Sequence, residues 1–549
     1  MIDLTTHIRA YAAKNALEYG KADAGRILPK LFQHGLDKKE IGKIMPQVKK
    51  IVDEINKLPK DEIEEIAEQL KEFVKEREEK EKTLPELPNA VEGKVVTRLP
   101  PEPSKYLHLG HALSFLVNYI YAKRYKGKCL LRFEDTNPEK VTQEYVDSIE
   151  EDIDKYLEIK HNGVRYVSDD MSLLYKYAEQ LIEKDSAFMC FCDRDKMQEL
   201  RHNGIECECR KENKKKTMEL WNAFVAGKYK DGEAVLRFRG NMQDLNHVMR
   251  DPVLFRAVRA KHYKHGTKYK VWPMYDFYNP IEDSLMGITH IMRSNEFDQR
   301  VPLHDVIRKL LGLKAQTVVQ YGRFNVIDAT TKGREIRDAI ESGEFIGWDD
   351  PRLVTLRTLR RRGIKKEVLY ELVEQLGLSK KEANIDFDAI AAISRKLIDK
   401  DTKRYYFVPN PKAYKIQTKT KEVKIPIHPD NTETRTIKIG NEIHLSVDDL
   451  KGHYGKEIRL LHLFNIKIPQ RGNKAEITSI ENKAIPKIQW VSDGVKVKVL
   501  MDNADWISGL GEKALIDLKE GDVVQFERFG FVRLDKKTKT ELEFWFAHK

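Results

Sequence analysis

The chain has 549 residues, 41% of them hydrophobic and 34% charged, which is a globular composition with room for several domains. Its net charge of +11 and pI near 9.0 suit an anionic macromolecular partner, although solvated lysines alone also produce such values. No run of 18 apolar residues occurs, which excludes a membrane-spanning helix, and the first residues lack a secretory pattern, so we expect a cytoplasmic protein.

Residues 1–90 are predicted to form a helical extension. Apolar residues recur at helical spacing from Ile8 to Tyr19. Pro59 opens a second, strongly charged helix, which fades into Glu-Lys repeats before Pro85 and Pro88. The charged face is either simply solvated or a docking surface for RNA or a partner enzyme.

The most informative segment runs from Arg98 to His111 and reads RLPPEPSKYLHLGH. An apolar strand leads into it and a helix-forming run beginning near Ala112 leads out. Such a strand-to-helix turn is a natural phosphate site, because free backbone N–H groups and the positive helix end point toward an anion. His108 and His111 are placed to donate hydrogen bonds to charge on a phosphate oxygen. A His-x-x-His pair alone would more often be a capped helix with two surface histidines.

Residues 91–346 are predicted to form a mixed α/β domain, because strand-like runs alternate with helices as in a parallel, doubly wound sheet. Ligands of such sheets bind at the carboxyl ends of the strands. The segment from about 187 to 275 interrupts this alternation and is predicted to be an insertion between the two halves of the sheet.

Four of the chain's five cysteines lie in the insertion, where they form two close pairs with 14 residues between them. In a cytosolic chain such pairs are more typical of zinc than of disulfides, and four thiolates complete a closed structural site. His202 lies between the pairs as an alternative ligand, and four reduced cysteines in a loop are the other alternative. The sequence therefore predicts a structural Zn²⁺ bound by Cys190, Cys192, Cys207 and Cys209.

The last two segments change in character. Residues 347–404 are predicted to be helical, and their basic run Leu359–Arg362 is either a phosphate contact or a solvated helix end. Residues 405–549 contain short alternating strands separated by Pro, Gly and Asp turns, a pattern typical of β-barrels. Aromatic residues such as Trp490 and Phe531 either belong to the barrel core or stack on unpaired bases.

Two further motifs suit a charged small substrate. Leu131–Pro138 places carboxylates at the end of a strand, where they can hold an ammonium group, although Asp135 and Thr136 would equally cap the next helix. Val271–Phe277 is followed at a distance by Gly287-Ile-Thr-His290 and then Arg293. A planar guanidinium binds a carboxylate bidentately, whereas a single arginine elsewhere is more often a surface ion pair.

Taken together, these motifs resemble the class I aminoacyl-tRNA synthetases of the glutamyl and glutaminyl branch. The segment from Arg98 to His111 resembles their HIGH signature, and the N-terminal helices and C-terminal strands resemble those of archaeal-type glutamyl enzymes. The resemblance implies a multidomain protein: a helical N-terminal extension, a Rossmann-like doubly wound α/β catalytic domain with an acceptor-stem insertion, a helical stem-contact linker and a C-terminal β-barrel anticodon-binding region.

The resemblance also implies roles for individual residues. In glutamyl enzymes the residue three past the Gly-Ile-Thr-His histidine is arginine, as Arg293 is here, whereas glutaminyl enzymes typically have cysteine. The second signature, Lys-Met-Ser-Lys-Ser, is degenerate: Ala329–Ile336 offers Lys332 one residue out of register and Glu335 where a basic residue is usual. The implied catalytic residues are His108, His111, Lys332 and Arg334. The implied ATP-binding residues are Pro101, His108, Gly110, His111 and Lys332, and the implied substrate-binding residues are Arg98, Glu102, Glu134, Tyr275 and Arg293.

The implied reaction is activation of L-glutamate by ATP with Mg²⁺, followed by transfer to the 3′ end of tRNA(Glu), with tRNA(Gln) left open as a second acceptor. In this branch activation requires tRNA. The N-terminal helices are left open as a docking site for other translation enzymes. A glutaminyl enzyme is disfavoured by Arg293, and a glutamyl-queuosine-type tRNA modifier by the C-terminal region. The remaining alternative is a noncatalytic tRNA-binding paralogue with a decayed second signature.

Overall fold

The computed structural model describes residues 4–37, 40–74, 84–430 and 432–549. The chain divides into two compact units, Met1–Lys82 and Thr83–Lys549. The Glu-Lys repeats that follow the charged helix lie between residues 75 and 83, outside the described residues. Among the helices that are described, none is long and apolar enough to cross a membrane.

The N-terminal unit is built from helices, as its apolar spacing predicts. Ile8, Ala12 and Ala16 are fully or almost fully buried on the first helix, whereas Tyr19 is 62% exposed, so the buried stripe ends one turn before the helix does. Ile63 carries the buried face of the charged helix. The helices are α1 (Thr5–Tyr19), α2 (Ala24–Leu31), α3 (Ile41–Ile55) and α4 (Lys60–Gln69).

The larger unit begins with half of a parallel sheet. Three parallel strands follow one another across this sheet, and helices connect them in the β-α-β manner expected of a doubly wound fold. Cys129, Leu131 and Phe133 bury one face of the central strand. The elements are β1 (Val96–Leu99), α5 (Leu109–Arg124), β2 (Lys128–Phe133), α6 (Gln143–Glu151), β3 (Val164–Tyr166) and α7 (Met171–Glu183).

An antiparallel sheet then interrupts the parallel one, within the segment where an insertion is predicted. Its four strands pair in chain order, and two helices lie between the first and second strands. The elements are β4 (Ala187–Cys190), α8 (Arg194–Asn203), α9 (Lys214–Val225), β5 (Val235–Phe238), β6 (Val253–Ala257) and β7 (Val271–Pro273).

The second half of the parallel sheet follows with α10 (Tyr275–Leu285), β8 (His290–Ser294), α11 (Val301–Leu311) and β9 (Thr317–Tyr321). The backbone N–H of Thr289, just before β8, donates to the carbonyl of Val96 in β1 at 2.9 Å. The two halves therefore meet at β1 and β8. This is the point of a doubly wound sheet at which ligands bind, outside the carboxyl ends of the strands.

A helical segment packs against this sheet. It consists of β10 (Phe324–Val326), α12 (Gly333–Glu341), α13 (Leu356–Arg361), α14 (Lys366–Leu376), β11 (Ala383–Ile385) and α15 (Phe387–Ile398). The chain before α13 pairs with the turn before α5, because the N–H of Leu109 donates to Val354 and the N–H of Leu356 donates to Leu107, each at 2.9 Å. The helical segment therefore holds the backbone on both sides of His108.

The arginines at the end of α13 have a structural role that the sequence did not predict. Arg361 forms ion pairs with Asp349 at 2.6 Å and with Asp535 of the C-terminal region at 2.7 Å. Arg362 is 4% exposed and donates to the carbonyl of Phe546 at 3.0 Å. Because their donors are bonded to these protein groups, the two residues are neither free in solvent nor available as phosphate contacts.

The C-terminal region is built from strands around two separate cores, in agreement with the predicted sheet-rich organisation. Trp490 and Phe531 are completely buried, which favours the core interpretation over base stacking. The strands are β12 (Arg404–Tyr405), β13 (Phe407–Pro409), β14 (Pro411–Lys415), β15 (Glu422–Pro426), β16 (Thr434–Lys438), β17 (Glu442–Ser446), β18 (Glu457–Leu460), β19 (Asn465–Lys467), β20 (Glu476–Ser479), β21 (Lys487–Ile488), β22 (Gly494–Leu500), β23 (Trp506–Glu512), β24 (Val523–Phe526), β25 (Gly530–Lys537) and β26 (Glu541–His548). The largest sheet has the order β12-β24-β25-β26-β22-β23-β13.

Candidate active site

A cleft of about 450 Å³ lies at the carboxyl ends of β1, β2 and β8. The N–H of Glu134 donates to the carbonyl of Pro101 at 2.8 Å, which ties the turn after β1 to the end of β2. A larger cavity of about 860 Å³ in the insertion shares no lining residue with this cleft. The cleft brings together nine of the residues singled out in the sequence: Arg98, Pro101, Glu102, His108, Gly110, His111, Glu134, Tyr275 and Arg293.

The two histidines of the turn are held in one tautomer by the start of α5. The N–H of Gly110 donates to Nδ1 of His108 at 3.1 Å, and the N–H of His108 donates to Nδ1 of His111 at 3.3 Å. Because Nδ1 is the acceptor in each ring, the proton of each neutral imidazole resides on Nε2. The ring centroids are 3.8 Å apart.

Both imidazoles are neutral at physiological pH. Burial lowers the pKa of His108 well below its usual range, with further contributions from the neighbouring His111 and Lys105. Burial, and to a smaller extent the charge of Lys105, lowers the pKa of His111 to about 3. Each ring therefore offers a single Nε2–H donor and no charge, as in sites where a neutral imidazole polarises an oxygen.

The acidic side of the cleft is a buried network around Glu134. Arg132 donates to Glu134 at 2.9 Å and to Asp283 at 2.6 Å, and Nε of Arg98 donates to Asp283 at 3.1 Å. Burial raises the pKa of Glu134 although Arg132 opposes it. Burial also opposes ionisation of Asp283, but the charges of Arg98 and Arg132 outweigh it and lower the pKa of Asp283 to about 2.

Arg132 and Asp283 were not singled out from the sequence. The available signal was a charged residue inside an otherwise apolar strand and a run of acidic residues on the helix that follows Tyr275. Both residues are completely buried. A buried charge is retained only when it is paired, so such positions indicate a network.

Arg293 also lines the cleft and is 6% exposed. Its Nη1 donates to the hydroxyl of Tyr275 at 3.2 Å, and the guanidinium lies 5.4 Å from the centroid of Phe297. Within the described residues it forms no ion pair, and its Nε has no hydrogen-bond partner. The nearby carboxylate of Asp276 is already bonded to His304 and Arg300. A buried guanidinium in this state calls for an anionic ligand.

The degenerate second signature is close to the cleft but its basic side chains do not line it. Thr331 is part of the lining. Lys332 precedes α12, is 76% exposed at its side chain and pairs with Glu335 at 2.8 Å. Arg334 is 90% exposed and lies 3.8 Å from Asp338.

The four cysteines of the insertion form one cluster, in which all four Sγ atoms lie within 4.8 Å of one another. Sγ of Cys190 and Sγ of Cys207 are 3.9 Å apart, close to the edge of about 3.8 Å that a tetrahedral zinc site with bonds of about 2.3 Å requires. The donor set and its spacing fit Zn²⁺. His202 does not belong to this cluster; its ring lies edge-on to that of His247, with the centroids 6.1 Å apart.

The chain matches three family models in order. Residues 94–400 match the catalytic domain of class I tRNA synthetases described as E and Q. Residues 402–484 and 487–535 match two models of the anti-codon binding domain of the same group.

Curated relatives match the chain from end to end. The glutamate–tRNA ligase of Korarchaeum cryptofilum is 38% identical over 563 residues, which cover 98% of each chain. The glutamate–tRNA ligase of Pyrococcus furiosus is 39% identical over 565 residues, again 98% of each chain. Among solved structures, a glutamate tRNA ligase of Elizabethkingia meningosepticum is 18% identical, with a TM-score of 0.40 over 55% of this chain and 69% of its own; nothing about the site follows from that likeness.

Proposed function

We propose that this chain, which belongs to the class I tRNA synthetases for glutamate and glutamine, is a glutamate–tRNA ligase of the archaeal type. The observation that carries the choice of glutamate is Arg293, a buried guanidinium that lines the cleft and lacks an ion-pair partner among the described residues. The γ-carboxylate of glutamate can accept two parallel hydrogen bonds from this guanidinium and neutralise its charge, whereas the amide of glutamine would leave that charge unpaired.

The reaction we propose has two steps and uses no side-chain nucleophile. First, an oxygen of the glutamate α-carboxylate attacks the α-phosphorus of Mg·ATP, and the bond from that phosphorus to the oxygen bridging the β-phosphate breaks. The products are glutamyl-adenylate and pyrophosphate. A hydroxyl of the terminal tRNA ribose then attacks the activated carbonyl and releases AMP. Catalysis of this kind rests on positioning and electrostatic stabilisation.

The residues of the cleft suit distinct parts of these substrates. We assign the amino group of glutamate to Glu134, its α-carboxylate to Arg98, and its γ-carboxylate to Arg293 with Tyr275; Glu102 completes this side. His108 and His111 would donate their Nε2–H groups to phosphate oxygens as negative charge builds. At Pro101 and Gly110, ATP would lie close to the protein backbone.

Lys332 and Arg334 are assigned to the leaving pyrophosphate by family resemblance. Both side chains are exposed and pair with carboxylates of their own segment. In this proposal they reach the phosphates only after the segment 329–336 moves and these pairs open.

Four thiolates are proposed to hold one structural Zn²⁺: those of Cys190, Cys192, Cys207 and Cys209. The ion would cross-link β4 to the turn that follows α8, and four protein ligands would leave it no open position for catalysis.

The macromolecular partner in this proposal is tRNA(Glu), bound in the cytoplasm. A net charge of +11 and the two anti-codon binding domain matches support a tRNA partner. Whether tRNA(Gln) is a second acceptor, and whether the N-terminal helices bind other translation enzymes, are further parts of the hypothesis to be tested.

Aminoacylation with labelled glutamate or labelled glutamine, each against tRNA(Glu) and tRNA(Gln), tests the proposal. We expect glutamate to be attached to tRNA(Glu) and glutamine to neither tRNA. Attachment of glutamine to tRNA(Gln) would make the chain a glutaminyl enzyme. Binding of tRNA without attachment of either amino acid would identify a noncatalytic paralogue.

A further inference from the structure

The phosphate end of the cleft contains positive charge that does not come from the second signature. Lys105 and Arg323 line the cleft together with His108 and His111, whereas Lys332 and Arg334 do not. Lys105 lies three residues before His108, in the turn that ends where helix α5 begins. This arrangement raises the question of which cation meets the triphosphate.

Lys105 occupies the space between the two signature segments. Its Nζ donates to the carbonyl of Thr331 at 3.2 Å. A Cβ added to Gly333 would lie 3.0 Å from Cδ of Lys105, tighter than ordinary van der Waals contact, and 3.4 Å from Cβ of Lys105, at the lower limit of ordinary contact. The lysine stem therefore packs on the bare backbone of Gly333, and a larger residue there would push the stem aside.

The charges around Lys105 favour an anion. The side chain is half-buried, and within the described residues it forms no ion pair. Burial is the main cause that lowers the pKa of its ammonium; Arg323 and Arg337 also lower it, and Glu102 opposes them. Arg323 is paired with Glu296 at 3.1 Å in a half-exposed position, and Arg337 donates to the carbonyl of Ser104 at 3.4 Å. A cation desolvated beside two guanidinium groups is stabilised by a negatively charged ligand.

We propose that Lys105 is a phosphate-binding residue of this chain, whose ammonium contacts the β- and γ-phosphates of ATP and stabilises pyrophosphate as it leaves. This inference rests on the proposed function. When the bond from the α-phosphorus to the bridging oxygen breaks, its electron pair passes to that oxygen of pyrophosphate, so a cation already in place stabilises the charge without loop movement. Lys332 must first leave Glu335 and move from solvent.

The test compares four variants with wild type. Lys105→Met keeps most of the stem and removes the charge, and Lys105→Arg keeps the charge. Lys332→Ala removes the lysine that family resemblance favours, and Lys176→Met is a matched control at an exposed position on α7. Melting temperatures of all variants are measured first, so that a folding defect is recognised.

Three quantities are measured. The first is the rate of ATP–pyrophosphate exchange with saturating glutamate and tRNA. The second and third are the inhibition of tRNA aminoacylation by added pyrophosphate and by AMP. We expect Lys105→Met to lower kcat for exchange and to weaken pyrophosphate inhibition, each by roughly ten- to a hundredfold, the usual range for a lost charge-assisted contact. Inhibition by AMP should not change, because AMP lacks the β- and γ-phosphates. Lys105→Arg should keep most activity, and Lys332→Ala should cost less than Lys105→Met.

Wild-type exchange and wild-type pyrophosphate inhibition in Lys105→Met would overturn the inference, as would a severe defect in Lys332→Ala with a mild one in Lys105→Met. Equal loss of AMP and pyrophosphate inhibition would indicate a damaged cleft rather than a phosphate contact, and would also count against it. Gly333→Ala gives independent support if it reproduces part of the defect by itself, and if the double variant Lys105→Met/Gly333→Ala is no more impaired than Lys105→Met alone. If wild type attaches no glutamate, the proposed function fails, and calorimetric binding of pyrophosphate still decides the role of Lys105.

Discussion

Nη1 of Arg293 and the hydroxyl of Tyr275 are joined by a hydrogen bond of 3.2 Å across the wall of the cleft. The bond fixes the guanidinium plane but does not neutralise its charge. Tyr275 is half-buried, and desolvation of its hydroxyl is the main cause that raises its pKa, so the phenol stays neutral beside the cation. The charge of Arg293 therefore remains available for a substrate carboxylate.

Substitution of Arg293 should therefore strongly reduce the catalytic efficiency with glutamate. In Arg293→Cys the γ-carboxylate would be buried without a partner, a loss of about 2–5 kcal/mol, so kcat/KM for glutamate should fall by roughly 30- to 5,000-fold. Gain of glutamine activity should be smaller, because Tyr275 and the rest of the wall remain arranged for an anion. The measurement is kcat/KM for both amino acids with saturating tRNA. Unchanged glutamate kinetics would place Arg293 outside the pocket.

Asp283 should be essential for the stability of the acidic side of the cleft. Asp283→Asn leaves Arg98 and Arg132 buried without their shared carboxylate, which should cost about 3–5 kcal/mol in the free energy of unfolding. Urea unfolding checks this value. Asp448→Asn, which breaks an exposed ion pair with Lys451, is the control and should have little effect.

The same substitution has a predictable pH dependence. The pKa of Asp283 is lowered to about 2 in the folded protein, against about 3.9 for an unperturbed aspartate. A lowered pKa means that the carboxylate stabilises the fold fully above about pH 4 and loses this effect as the pH falls toward 2. The stability difference between wild type and Asp283→Asn should be constant from pH 8 to 5 and shrink below pH 4. A constant difference down to pH 2 would contradict this assignment.

Glutamate activation is expected to need tRNA, an expectation that rests on family resemblance. ATP–pyrophosphate exchange should stay near background with glutamate and ATP alone and should rise when tRNA(Glu) is added. An unrelated tRNA of the same concentration is the control for nonspecific effects of polyanions. Robust exchange in the absence of tRNA would count against the archaeal-type glutamyl assignment.

The cysteine cluster is expected to hold about one zinc per chain after dialysis, on the four-ligand argument. Cys190→Ser or Cys207→Ser should lower the zinc content and loosen the insertion, which limited proteolysis detects, while the parallel sheet stays folded. Cys129→Ser is a matched control, since Cys129 is buried in β2 outside the cluster. Metal-free protein with an unchanged melting temperature and full activity would contradict the prediction of a structural zinc site.

Local patterns were enough to predict many of the residues that line the cleft. The turn from Arg98 to His111 could be recognised because a strand, a proline-rich turn and a helix start are all local signals. Glu134 and Arg293 could be chosen because each directly follows or ends an apolar strand, and the ends of parallel strands meet at one edge of a sheet. The cysteine pairs were close enough in sequence to predict their cluster.

Other features depend on residues that are distant in sequence. Asp283 meets Arg98 and Arg132 only because α10 packs beside the ends of β1 and β2. For Arg361 the sequence predicts either a phosphate contact or a solvated helix end, because its partner Asp535 lies 174 residues away and leaves no local signal. The exposed state of Lys332 and the half-buried side chain of Lys105 likewise follow from how the two signature segments pack, which no local pattern records.

The sequence by itself determined the family, the order of the domains' characteristic patterns and the chemical types available at the cleft, because hydrophobic periodicity, turn residues and motifs are properties of neighbouring residues. Only the tertiary structure decided which charges are paired and which are left for a ligand. Burial and ion pairing depend on atoms brought together from distant segments. That is why Arg293, whose guanidinium has no carboxylate partner among the described residues, could be distinguished from Arg361, which already has two.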